Sequence, residues 1–148
     1  PIFFKLLEEK PRIVRLVLTF QKEFAERLLA VPRTKAYGSL SVLAQLHYKI
    51  ESIGVLPRGA FFPAPQVASE ALLFEPRNLD DLSLVSRILK VAFAHRRKKL
   101  IGNLRRLSQQ IPWEELFKKM QLKETCRPEE LDKDEYVELS KEASALGL

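Results

Sequence analysis

Methionine, cysteine, glycine and histidine are all scarce in this 148-residue chain, and each scarcity removes a class of chemistry. The one cysteine, Cys126, excludes internal disulfides and cysteine-based metal clusters. The two histidines, His47 and His95, offer no ligand spacing, so no metal is expected. Only five glycines occur, none in a G-x-G-x-G or G-x-x-x-x-G-K pattern, which leaves no candidate phosphate or cofactor cradle. There is no run of about 18 apolar residues and no charged-then-apolar leader. Nothing therefore marks the segment for a membrane or for secretion, and a reducing cytoplasm is the expected compartment. The only methionine is Met120 and the first residue is Pro1, so the sequence reads as part of a longer reading frame.

What is abundant is positive charge, and it is local. Residues 1 to 80 hold 11 Lys and Arg against 8 Asp and Glu, residues 81 to 123 hold 11 against 3, and residues 124 to 148 hold 3 against 8. A net +8 block inside a folded segment creates a field that collects polyanions, and phosphate contacts supply most non-specific affinity through counterion release. Nucleic acid is the expected partner.

Hydrophobic periodicity divides the chain near residue 77. Ile2 to Leu7 reads as a helix tail stopped by Pro11, and Arg12 to Phe20 as a strand buried on both faces, as in the interior of a doubly wound sheet. Lys22 to Val31 returns to helical spacing, Ser41 to His47 suggests a second helix after a turn at Tyr37-Gly38, and Lys49 to Leu56 and Ala68 to Phe74 read as strands. Beyond Pro76 the pattern is helical only. Asp80 or Asp81 can cap a helix carrying Leu84 to Phe93, and Pro112-Trp113-Glu114-Glu115 and Arg127-Pro128-Glu129-Glu130 read as first turns. Asp134 to Leu146 forms the last helix. If His95 to Leu107 is one helix, Leu100, Ile101, Leu104 and Leu107 form its buried stripe. Lys98 and Lys99 then sit one heptad before Arg105 and Arg106, with Gly102 and Asn103 between them where a backbone phosphate could approach.

Between the two later strands lies Ala60-Phe61-Phe62-Pro63-Ala64-Pro65-Gln66-Val67-Ala68-Ser69. Proline fixes its own φ and keeps the preceding residue extended, so Pro63 and Pro65 pin the directions of the Phe61 and Phe62 rings. The corner resembles the Phe-x-Pro-Pro-Pro-Lys-Val-Asp-Ser motif of the small-subunit rRNA adenine dimethyltransferases. Three further stretches are similar to that family in the same order. They are Gln21-Lys22-Glu23 through Lys35-Ala36-Tyr37-Gly38 and Leu40-Ser41-Val42; Ala92-Phe93 with Arg96-Arg97-Lys98 and Asn103-Leu104; and Arg127-Pro128-Glu129-Glu130-Leu131. Ala64, Gln66 and Ala68 depart from the motif, and the family's glycine-rich donor loop and Asn-Leu-Pro-Tyr tetrapeptide are absent.

The resemblance implies an α/β fold: the C-terminal half of a Rossmann-like S-adenosylmethionine methyltransferase sheet (1–77) followed by a small helical rRNA-binding domain (78–148). It implies methyl transfer to N6 of two adjacent adenines in the rRNA of a pre-30S ribosomal subunit, by a protein that is monomeric when complete. The donor is held upstream, so the 148 residues alone are expected to be inactive. Phe61 takes the position of the phenylalanine that stacks on the target adenine, with Phe62 as the back-up. Arg96, Arg97, Lys98, Lys99, Asn103, Arg105 and Arg106 are the expected RNA contacts, joined by Lys22 and Lys35. The competing reading is a non-catalytic helical nucleic-acid-binding module that lays the basic helix along a duplex.

Overall fold

A computed structural model describes residues 14–78 and 81–148. The expected helix at Ile2 to Leu7, the start of the first strand at Arg12, and Asp80 lie outside the described residues. Strand β1, Leu16–Gln21, passes directly into helix α1, Lys22–Leu29, and helix α2, Ser39–His47, passes directly into strand β2, Tyr48–Leu56. Strand β3, Ser69–Pro76, returns between them, so the sheet order is β1-β3-β2 with β3 antiparallel to both neighbours. The outer strands therefore run the same way, joined by a helical crossover of the α/β kind.

One face of this sheet is covered by α1 and α2. Phe20, Leu72, Phe74 and Tyr48 meet Ala25, Leu28 and Ala44 there, with Tyr48 and Phe74 edge to face at 5.7 Å between ring centres. The other face carries Val17, which is more than half exposed and pairs with Leu73. The expectation that the first strand is buried on both faces is thus corrected. Its residues alternate between partly buried and exposed, because the described helices cover a single face.

The helical half is α3, Ser83–Ala92; α4, Leu100–Leu104; α5, Trp113–Lys119; and α6, Lys133–Ala145. Short 3-10 turns lie at Phe93–His95 and Pro128–Glu130. Asp81 accepts from the Ser83 amide at 2.8 Å and starts α3. Asp132 accepts from the Asp134 and Glu135 amides while Glu135 accepts from the Asp132 amide, a reciprocal capping box that fixes α6. The core of this half contains Val85, Ile88, Leu89, Leu104, Trp113, Phe117, Tyr136 and Leu139. Ala30, Tyr37, Val42 and Leu46 join it from the first half of the sequence, so α2 packs on both the sheet and the helices. Tyr37 is buried and its hydroxyl donates to the Leu131 carbonyl at 2.9 Å.

Candidate functional site

The aromatic-proline corner forms the connection between β2 and β3. A 3-10 turn at Arg58–Ala60 opens it, the Phe62-Pro63 peptide is cis, and Arg58 Nε donates to the Pro65 carbonyl at 3.0 Å, bracing the loop across its base. The Lys22 amide donates to the Ala68 carbonyl at 3.0 Å, which ties the far end of the corner to the start of α1. The two rings differ in setting: Phe61 is 37% exposed and Phe62 is fully exposed. A partly embedded ring offers one face in a defined direction, whereas a ring without neighbours does not. A cleft of ≈430 Å³ lies beside the corner, lined by Gln21, Lys22, Glu26, Arg58, Gln66 and Val67. Lys22, expected among the RNA contacts, lies beside the corner. Arg58 gives no sequence signal, because its partner is a backbone carbonyl.

The basic segment is not one helix. After α3 the chain makes the 3-10 turn Phe93–His95, leaves helical form through Lys99, and resumes in the five-residue α4. Leu100, Ile101 and Leu104 are buried as expected and Leu107 packs at the edge of the core. Asn103 bridges the break. Its amide donates to the carbonyls of Ala92 at 2.7 Å, at the end of α3, and His95 at 3.1 Å, at the end of the 3-10 turn. Asn103 is 1% exposed and so does not stand on the surface where the spacing puts it.

Asn103→Ala is expected to lower unfolding free energy by about 1–3 kcal/mol, by removing the amide's bonds to the Ala92 and His95 carbonyls, of which His95 keeps the Lys98 amide at 2.9 Å. A urea titration followed by circular dichroism measures this. A loss below about 0.5 kcal/mol would show that the bonds are replaced by water.

Arg97, Lys98, Lys99, Arg105 and Arg106 are exposed. Arg105 pairs with Glu114 on α5. Arg96 behaves differently, donating to the carbonyls of Lys35 at 2.8 Å and Thr34 at 3.1 Å and lying 3.5 Å from the Glu129 carboxylate. Beside it a cleft of ≈340 Å³ is lined by Arg27, Lys35, Tyr37 and Ser39 as well as Arg96. Lys35 and Arg96 are therefore neighbours although 61 positions separate them. Arg27 holds Glu23 at 2.7 Å and lines this cleft too, a placement that an i,i+4 surface pair does not reveal.

Among the described residues no three His, Cys, Asp or Glu side chains are grouped as a metal site requires, and no helix is long and apolar enough to cross a membrane. The arrangement can present an aromatic face at a braced corner and a set of exposed cations to a polyanion.

Comparison with known proteins gives the arrangement a family. Residues 1–145 match the ribosomal RNA adenine dimethylase family model. The ribosomal RNA small subunit methyltransferase A of Syntrophotalea carbinolica is 44% identical over 108 residues, covering 70% of this chain and 41% of the relative. That of Myxococcus xanthus is 39% identical over 110 residues, covering 71% and 39%. The chain thus spans about two fifths of the length of these curated relatives. The crystal structure of a dimethyladenosine transferase from Plasmodium falciparum superposes with a TM-score of 0.87 at 24% identity, over 100% of this chain and 63% of that one. The 23S rRNA methyltransferase ErmE does so with a TM-score of 0.65 at 20% identity, over 95% and 58%. These two likenesses identify the fold as that of Rossmann-like methyltransferases. On the family match and the identity of its relatives, the chain belongs to the ribosomal RNA adenine dimethylase family.

Proposed function

We propose that these residues are the base-holding and RNA-docking part of an enzyme that transfers methyl groups from S-adenosylmethionine to N6 of two adjacent adenines in small-subunit rRNA. The observation that carries this is the braced corner with Phe61 partly embedded in it, in a chain of this family. The lone pair of an exocyclic adenine amine is delocalised into the ring, so methylation requires the base to be extruded, stacked and oriented. Phe61 supplies the stacking face. Phe62, one residue on and fully exposed, is the second candidate. In this reading residues 1–77 are the end of the methyltransferase domain and 78–148 are the rRNA-binding domain of a protein that works as a monomer in the cytoplasm on the pre-30S subunit.

In this reading the donor's pocket lies outside the described residues. A Cβ placed on Gly38, Gly54, Gly59, Gly102 or Gly147 would face open space, and none of these glycines lies at a turn from a strand into a helix, where a donor would be cradled. S-adenosylmethionine supplies the methyl group from a site upstream. The described residues position the acceptor, and alone they transfer nothing. The competing module reading needs a recognition helix along a groove, and α4 is only five residues long.

The docking surface is tested by RNA binding. In the protein as the cell makes it, the double variant Arg97→Ala/Lys98→Ala is expected to weaken binding of a small-subunit rRNA transcript. It should also reduce the slope of log K against log salt by roughly 1.5–2, since two phosphate contacts are lost. Filter binding across a salt series reads both quantities. Unchanged affinity and slope would remove this face from the interface.

A further inference from the structure

We propose that Arg96 is a positioning residue, which holds the loop at residues 33–37 so that Lys35 faces the RNA, and that it does not itself bind phosphate. The inference rests on the reading of this face as the RNA-docking surface. Its basis is where the guanidinium is engaged. Arg96 sits in a basic run with Arg97, Lys98 and Lys99, but unlike those three it is only partly exposed, and its donors point into its own chain. Nη1 reaches the Lys35 carbonyl, Nη2 reaches the Thr34 carbonyl, and Nε faces the Glu129 carboxylate. Two of the five N–H groups are given to the loop's carbonyls and Nε lies in ion-pair range of Glu129, so the fork is oriented onto its own chain and at most two N–H groups are turned elsewhere.

The loop it holds needs holding. Arg33 has φ 68°, a left-handed conformation that costs a non-glycine residue energy and persists only where the surroundings enforce it. Two contacts enforce it from the same side. The Arg33 amide donates to the Glu129 carbonyl at 2.8 Å, and Arg96 bridges the next two carbonyls to the Glu129 side chain. Glu129 is thus the far anchor of the clamp, through both its backbone and its carboxylate. Lys35 itself is exposed beside the cleft that Arg27 also lines.

The clamp makes predictions opposite in sign to those of a direct phosphate contact. Glu129→Ala removes a negative charge beside a polyanion, which should tighten binding if Arg96 contacts phosphate. Here it is expected to weaken binding of the small-subunit rRNA transcript roughly threefold to tenfold, because the fork loses its anchor. Arg96→Lys keeps the charge but not the fork. It is expected to lose as much affinity as Arg96→Ala, whereas Arg97→Lys retains most of the affinity. Lys35→Ala should cost roughly threefold to tenfold in the native background and almost nothing in the Arg96→Lys background, a coupling that general destabilisation does not produce.

All variants are made in the complete protein and measured at one salt concentration. Tighter or unchanged binding by Glu129→Ala, retained binding by Arg96→Lys, or additive losses for Lys35 and Arg96 would each overturn the positioning role. If Arg97→Ala/Lys98→Ala also leaves binding unchanged, it is the docking surface that fails.

Discussion

Phe61→Ala is expected to lower N6-dimethylation of a small-subunit rRNA substrate by roughly tenfold to a hundredfold, because stacking of a base on an aromatic ring contributes about 1–3 kcal/mol. The change removes a ring from an exposed loop and leaves the corner's braces untouched, since Arg58 holds the Pro65 carbonyl and the Lys22 amide holds the Ala68 carbonyl through backbone acceptors. The fold should therefore survive. Donor binding, measured by calorimetry with S-adenosylmethionine, should be unchanged, which separates a lost platform from a damaged pocket. Phe61→Tyr and Phe61→Trp keep a flat face and should retain most of the turnover. Phe62→Ala should cost less than threefold, because no neighbouring packing fixes the fully exposed Phe62 ring before a base arrives. Full activity in Phe61→Ala together with a large loss in Phe62→Ala would transfer the platform to the second ring.

Trp113→Ala carries the largest expected effect on stability. The indole is 1% exposed, sits in the helical core with Ile111, Leu116 and Phe117, and donates from Nε1 to the Ser108 carbonyl at 2.8 Å. Truncating a buried tryptophan costs about 3–5 kcal/mol through lost burial and the cavity left behind. That is a large part of the roughly 5–15 kcal/mol that holds a domain folded. A fall in melting temperature of about 10 °C or more is expected by differential scanning calorimetry. Trp113→Phe keeps most of the volume but leaves the Ser108 carbonyl without its donor, so an intermediate loss is expected. A shift under about 3 °C for Trp113→Ala would mean that α5 is held chiefly by its other contacts.

Much of the architecture was legible because it follows from local rules. α1 begins at Lys22 where the helical period resumes, and β2 and β3 fall within one residue of the alternations that predict their starts. The corner lies between those strands because its prolines can take no part in a central ladder. What was not legible depends on partners far away in sequence. The hydrophobic run into Phe20 says that the strand has two apolar faces, but not which face the described helices cover. The break before α4 has no proline and no glycine to mark it. It is bridged by Asn103, which holds carbonyls 8 and 11 positions back, and in a sequence a buried asparagine looks the same as one reaching for a phosphate. Charge patterning is likewise blind to engagement. Arg96 and Arg97 are adjacent identical residues, one turned onto its own backbone and the other exposed.

That distinction refines how the basic block works. Arg97, Lys98, Lys99 and Arg106 present exposed charge. Arg105 is paired with Glu114, and Arg96 and Asn103 shape the backbone on which the exposed cations stand. An interface of this kind has fewer phosphate contacts than its charge count suggests, so its salt dependence should be shallower than the +8 of residues 81 to 123 implies.

The central claim is that these residues present adenine to a methyl donor within small-subunit rRNA. The most direct measurement is nucleoside mass spectrometry of small-subunit rRNA from cells lacking the gene, after incubation with the purified complete protein and S-adenosylmethionine. The expected result is N6,N6-dimethyladenosine at two adjacent positions, reduced in the Phe61→Ala protein. The appearance of methyl groups only in large-subunit rRNA, or of none in either RNA, would contradict it.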